Sequence, residues 1–283
     1  MRYIRRLISL SALFVIVLSA ADMAPLCAQK QGEPIVIGSI VKFWSKILGE
    51  ERKIFVSLPD GYTNSSERYP VLYCLTQEDG GDIHYASGVA RKMANARIVP
   101  GMIVVGLSGV KGMRDLTPTY SRDYGPTSGG ADKFLEHLEK EIVPFIDAQY
   151  RTQDVRIFWG HSIIGTLGIY GFLKAPGLFH AYVLSSPYFI YDGDEQYLLK
   201  STDSFLKKRT SEKNFLHLTA GDEPQLKMSI DSFIARLAAI KPAGVEWQYS
   251  AKKGEDHRSV MAVILPEGLR SVFSAWKGRP SRQ

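Results

Sequence analysis

The sequence predicts an α/β fold, a mainly parallel sheet with helices on both faces, and three observations carry that reading. The run at 71–75 is continuously apolar, as a strand buried on both faces is, and apolar-rich runs at 102–106, 155–159, 181–184, 215–219 and 245–249 repeat the theme. Helical patterns lie between them. The clearest, at 132–149, sets Phe134, Leu135, Leu138, Ile142, Phe145 and Ile146 against Glu136, Glu139, Lys140 and Asp147, one stripe for a core and one for water. Alternation of buried strands with helices makes a parallel sheet, because each crossover returns the chain to the same edge. The third observation is an abrupt turn: Gly160-His161-Ser162 follows the run 155–159 and precedes an apolar, glycine-spaced stretch at 163–173.

From the amino terminus, Arg2, Arg5 and Arg6 precede an apolar stretch at 7–21 and then small residues up to Cys27-Ala28-Gln29. This is the form of a secretory signal peptide, and about 15 apolar residues fall short of the roughly 20 that span a bilayer. The expected layout is a signal peptide at 1–28 and a single domain at 29–283, periplasmic or secreted, with no stable membrane insertion after cleavage. The segments 35–48 and 52–58 read as two strands split by a turn at Gly49, the second alternating Ile54, Val56 and Leu58, and they open the sheet as an antiparallel pair. Cys74 sits within the run 71–75 as a buried thiol and Cys27 goes with the leader, so the two cysteines make no disulfide framework. The helix at 132–149 should bend at Pro144. Further helices are predicted at 195–209, 228–240 and 260–276.

Hydrophobic residues at 45% and charged residues at 23% suit a chain that buries a large core. Lys and Arg number 35 against 29 Asp and Glu, and three of those cations are the leader arginines. With no basic run and no aromatic residues interleaved among basic ones, nothing points to nucleic acid. The six histidines lack paired ligand spacing, and no phosphate-cradling loop or dinucleotide fingerprint follows a strand, so neither a metal nor an organic cofactor is expected.

In a parallel sheet the functional loops lie past the carboxyl ends of the strands. Ser162, the pair Asp222-Glu223 after 215–219, and His257 after 245–249 all fall there, in the order serine, acid, histidine, which is that of an α/β-hydrolase. A serine hydroxyl alone is a poor nucleophile; it needs an imidazole to take its proton and a carboxylate to orient that imidazole. Ser162 is then the nucleophile, His257 the base, and Glu223 or Asp222 the acid. Gly160 suits the sharp reversal that lifts the serine clear of the sheet. The oxyanion of an acyl intermediate would be held by the amide of Ile163 and by a second amide from the loop that starts at Thr76, each such donor contributing about 3 to 4 kcal/mol. The usual elbow reads GxSxG, whereas here position 164 is isoleucine and the glycine follows at Gly165.

With these residues in hand, the chain resembles the esterase family of α/β-hydrolases that includes enterobactin and salmochelin esterases, feruloyl esterases, esterase D and mycolyltransferases, and the siderophore-esterase branch above all. The similarity runs from about Gly49 to Phe273, through Pro59-Asp60-Gly61-Tyr62, Arg114-Asp115-Leu116-Thr117-Pro118, Gly129-Gly130-Ala131-Asp132, Gly160-His161-Ser162, Ser185-Ser186-Pro187, Gly221-Asp222-Glu223 and Gly254-Glu255-Asp256-His257. The resemblance implies Ser162 as nucleophile, His257 as base and an acid at Glu223, acting on a small-molecule ester of siderophore type or on an aryl or acetyl sugar ester. One departure concerns the strand that family members end in Leu-Asp-Gly, which here reads Leu75-Thr76-Gln77, in the segment that should supply the second oxyanion amide. Two rival functions stay open on the sequence: a hydrolase fold kept for ligand binding with little or no turnover, and acyl transfer to an alcohol instead of water. The Asp115-Leu116-Thr117-Pro118 loop and the aromatics Tyr188, Phe189 and Tyr191 are expected to line the acyl pocket.

Overall fold

The antiparallel opening of the sheet forms, with a shorter first strand than the apolar pattern suggests. In the computed structural model, which describes residues 32–76, 80–193, 196–209 and 212–277, β1 (Ser39–Ser45) pairs with β2 (Glu50–Ser57) in a register from Ser39 opposite Val56 to Ser45 opposite Glu50. Pairing stops where the chain reverses: Gly49, at φ 71, donates its N–H to the Ser45 carbonyl at 2.9 Å. Residues 46–48 are therefore turn. The leader expected at 1–28 lies outside the described residues.

The remaining strands are β3 (Tyr69–Leu75), β4 (Ile103–Leu107), β5 (Thr152–His161), β6 (Ala181–Ser185), β7 (Asn214–Ala220) and β8 (Val245–Ala251). They stand in the order β1-β2-β4-β3-β5-β6-β7-β8. β1–β2 and β2–β4 are antiparallel, and every pair from β4–β3 onward is parallel. Each of the predicted buried runs is a strand of this sheet. β3, β4, β6 and β7 are buried along their whole length, and alternate residues feed opposite faces: Val71, Tyr73 and Leu75 join one apolar cluster, Leu72 and Cys74 the other. Cys74 is a buried free thiol.

The helices are α1 (Gly81–Asn95), α2 (Gly112–Leu116), α3 (Ala131–His137), α4 (Val143–Gln149), α5 (Ser162–Lys174), α6 (Tyr197–Lys207), α7 (Pro224–Ile240) and α8 (Val260–Lys277). α1 and α8 cover one face of the sheet with Ile83, Ala90, Met93, Ile264 and Leu269, while Phe134, Phe172 and Phe233 of α3, α5 and α7 pack on the other. The helix predicted at 132–149 is two helices joined by a π-helical turn, Leu138–Ile142. Pro144 supplies the reason: it has no N–H and its ring would crowd the Lys140 carbonyl, so the wider turn just before it makes room.

From Ile37 onward the described residues form one compact unit, and residues 32–36 carry no helix or strand. Among the described residues, no helix is long and apolar enough to cross a membrane.

Candidate active site

Ser162 is the first residue of α5, immediately past β5, and its φ is 55, a left-handed conformation that a side chain resists. The turn is possible because residue 160 has no side chain: a β-carbon on Gly160 would lie 2.9 Å from Ile164 Cγ2 and 3.0 Å from the Ile164 carbonyl carbon. The displaced second glycine of the elbow also has a partner. A β-carbon on Gly165 would lie 3.2 Å from Pro187 Cα and 3.3 Å from the Ser185 carbonyl oxygen, so this glycine lets α5 lie close against the segment that ends β6. Ile164 meanwhile packs at the margin of the core.

Three strand ends converge here. His257 Nε2 is 2.9 Å from Ser162 Oγ, across 95 positions of sequence, and His257 Nδ1 is hydrogen-bonded to Glu223 Oε1. The other carboxylate oxygen of Glu223 accepts from the Ser186 hydroxyl and, at 3.1 Å, from the Gly221 amide. Gly221 is glycine for a steric reason, since a β-carbon there would stand 2.5 Å from the Glu255 carbonyl oxygen, so the acid turn and the histidine loop can touch. Asp222 serves that contact instead of the ring. Its amide donates to the Glu255 carbonyl and its Oδ2 accepts the Gly254 amide, both at 2.7 Å. Of the two acids left open by the sequence, Glu223 is the one that reaches the imidazole.

Below this chain of contacts lies His161. Its Nδ1 is 2.9 Å from Ser185 Oγ, and its ring centroid is 4.6 Å from that of His257. Burial, followed by the proximity of His257, pushes His161 down to about 4, so this ring is uncharged at neutral pH. A cleft of about 720 Å³ opens over Ser162 and is walled by Met113, Tyr124, Tyr188 and Leu226. Hydrogen bonding to Tyr124, aided by burial, pushes the Tyr188 hydroxyl up to about 12. Met113, Tyr124, Tyr188 and Leu226 bring no carboxylate or cationic group to the cleft, whose other lining residues include Glu223 and His257. A smaller cavity of about 360 Å³, between α1 and residues 57–60, contains none of these side chains.

Three expectations need correction. Thr76 was expected to offer an oxyanion amide, yet that N–H donates to the Leu107 carbonyl at 2.9 Å: β3 continues its ladder one step further and spends the donor within the sheet. The Thr76 hydroxyl is buried and has no partner among the described residues; residues 77–79 lie outside them. Ile163 is in the first turn of α5, where an amide has no partner from within the helix. Of the aromatic trio, Tyr188 lines the cleft, while Phe189 and Tyr191 are buried in the core. Asp115 does not face the cleft either: it forms an ion pair with Arg52 at 2.7 Å, both side chains only 2% exposed, which anchors α2 to β2 and leaves Met113 as the wall residue. The roles of Ser185 and Ser186 were missed, although a polar doublet directly after a buried run, at the rim that holds the other site residues, is a signal that could have found them. Among the described residues, no group of three or more His, Cys, Asp or Glu could hold a metal ion.

Residues 45–257 match the family described as "Putative esterase". Ferri-bacillibactin esterase BesA of Bacillus subtilis (strain 168) is 28% identical over 153 residues, which cover 51% of this chain and 52% of that protein, so the chain spans about half the length of this curated relative. An IroE-like serine hydrolase from Shewanella oneidensis, solved as a crystal structure, has a TM-score of 0.77 at 26% identity and covers 84% of this chain and 80% of its own. Siderophore hydrolase EstB from Aspergillus nidulans has a TM-score of 0.74 at 19% identity, covering 90% of this chain and all (100%) of its own, a likeness of fold. The α/β-hydrolase fold predicted from the sequence is shared with these hydrolases.

Proposed function

The chain belongs to the "Putative esterase" family, and from that premise we propose that it is an exported serine esterase that cleaves a small carboxylic ester through an acyl-enzyme. The observation that carries this is the 2.9 Å contact between Ser162 Oγ and His257 Nε2, with Glu223 on the far side of the ring. Glu223 holds a proton on Nδ1, which leaves the Nε2 lone pair facing the serine. His257 takes the Ser162 proton as Oγ bonds to the acyl carbon, and the carbonyl oxygen, now negative, is met by the Ile163 amide. Collapse breaks the bond to the leaving alcohol, which departs with the proton from His257. Water repeats the cycle: its proton goes to His257, its oxygen bonds to the acyl carbon, and Ser162 leaves reprotonated as the free acid is released.

Away from Glu223 and His257, the side chains of Met113, Tyr124, Tyr188 and Leu226 suit an ester whose acyl group is aromatic or apolar. A siderophore-type ester agrees with the relatives named above, and an aryl or acetyl sugar ester uses the same chemistry. Residues 1–28 are the leader that directs export, and their removal leaves 29–283 as one domain.

Ser162→Ala should abolish labelling by a fluorophosphonate probe and lower turnover of a short p-nitrophenyl ester by about 10⁴-fold or more. Equal labelling of variant and parent would refute the assignment. The spent Thr76 amide favours one rival, binding without turnover, which requires the parent to hydrolyse the ester no faster than Ser162→Ala.

A further inference from the structure

β6 stands between β5 and β7, with Ser185 in register with His161 on one side and Thr219 on the other. Ser185 and the next residue, Ser186, are both fully buried, and their hydroxyls go to opposite neighbours. Ser185 Oγ meets His161 Nδ1 at 2.9 Å, and Ser186 Oγ donates to Glu223 Oε2. The divergence comes from the backbone. Ser186 has φ 44, and its amide donates to the Thr219 carbonyl at 2.9 Å, which turns its side chain toward the acid loop. A non-glycine residue in this conformation is strained, and such strain persists where the surroundings impose it. Ser162, just past the end of the neighbouring strand β5, is strained in the same sense.

We propose that Ser185 and Ser186 are positioning residues that hold the His257 imidazole from two sides, Ser186 through Glu223 and Ser185 through His161. The proposal rests on the hydrolytic reading above. With Oε2 occupied by the Ser186 hydroxyl and the Gly221 amide, Glu223 cannot swing, and Oε1 stays on Nδ1. His161 packs against the ring at a centroid distance of 4.6 Å and a tilt of 46°, and being uncharged it does not oppose the imidazolium that forms during the reaction. The charged or titratable groups that face His257 are Glu223 from the turn after β7 and His161 from the end of β5.

Ser186→Gly tests the first arm with the backbone kept, because glycine takes φ 44 freely and only the CH2OH group is lost. The expected result is a kcat lower by about 10- to 100-fold, the range one charge-assisted hydrogen bond carries, with KM within about threefold of the parent. The acidic limb of the kcat/KM profile should move to higher pH, since a carboxylate with one donor fewer holds an imidazolium more strongly. In the second arm, His161→Arg sets a cation against the His257 ring and should move the acidic limb to lower pH. Parent-like kcat and an unmoved limb in Ser186→Gly would overturn the proposal. So would an unmoved limb in His161→Arg. Ser162→Ala, run alongside, separates the two claims: turnover by that variant sinks the esterase reading, while a dead Ser162→Ala beside a parent-like Ser186→Gly sinks only the positioning role.

Discussion

Gly160 and Ile164 share one volume: the β-carbon that Gly160 lacks would stand 2.9 Å from Ile164 Cγ2 and 3.0 Å from the Ile164 carbonyl oxygen. Gly160→Ala should therefore destabilise the fold by about 1 to 3 kcal/mol through overpacking, read as a lower urea midpoint. Adding Ile164→Ala removes the side-chain contact and leaves the carbonyl in place, so the double variant should recover only part of the loss. Ile164→Gly by itself restores the usual elbow spelling. Turnover per folded molecule should be preserved, and stability should fall by about 1 kcal/mol or more, from a glycine within a helix and a lost core contact.

Ser162 holds φ 55 at the start of α5, and comparing two inactive variants isolates the cost of that conformation. Ser162→Ala and Ser162→Gly both remove the hydroxyl, but only glycine relaxes the backbone. Ser162→Gly should be the more stable by about 1 kcal/mol, measured as a higher Tm. Equal melting of the two would mean that the turn stores no strain at this residue.

Glu223 and Asp222 are adjacent carboxylates with different duties. Glu223→Gln should lower kcat by about a hundredfold or more, because the imidazole loses the charge that orients and stabilises it. Asp222→Ala removes the acceptor for the Gly254 amide and should leave kcat within about fivefold. Its signature is faster hydrogen exchange at Gly254. Reversal of these two effects on kcat would reassign the acid.

The acidic residue that opens β2 predicts acid sensitivity. Arg114, assisted by Lys111 and Arg52, holds Glu50 down to about 2, well below its ordinary 4.5. A carboxylate lowered in the folded state contributes stability that is complete above its unfolded value and is lost as pH falls toward its folded one, here from 4.5 to about 2. The Tm of Glu50→Gln should accordingly vary less over that window than the parent's. Nearby, Arg52→Met would remove one of two guanidinium partners of the buried Asp115 carboxylate, which keeps Arg114 at 2.6 Å and the Lys111 amide at 2.9 Å, so the loss should fall below the roughly 3 to 5 kcal/mol of a wholly unpaired buried charge.

The sheet was legible because strands buried on both faces are mostly apolar, and the runs at 71–75, 157–159 and 215–219 are buried strand segments in which His217 and Thr219 are the polar residues. α1 was not, for a reason of size: much of its buried stripe is Ala86, Ser87 and Ala90, too small to stand out from a loop. At the site, strand ends located Ser162 and His257, but the choice between two neighbouring acids depends on Asp222 turning its amide to Glu255, a contact with no trace in spacing. Thr76 fails for a similar reason. Whether a ladder stops at Leu75 or runs one residue further is decided by its neighbour β4, not by the local letters.

Because β6 separates β5 from β7, the serine and the acid leave the sheet two strand spacings apart, roughly 10 Å. That gap must be filled by one imidazole, a hydrogen bond at each ring nitrogen, and the stem of the carboxylate. Side-chain reach, not acidity, is then what selects among carboxylates at position 223: aspartate there would keep the charge and fall one methylene short. The width of a single strand has become the ruler against which this relay is cut, and the antiparallel β1–β2 margin, on the far side of β4, is free to be rebuilt without changing that measure.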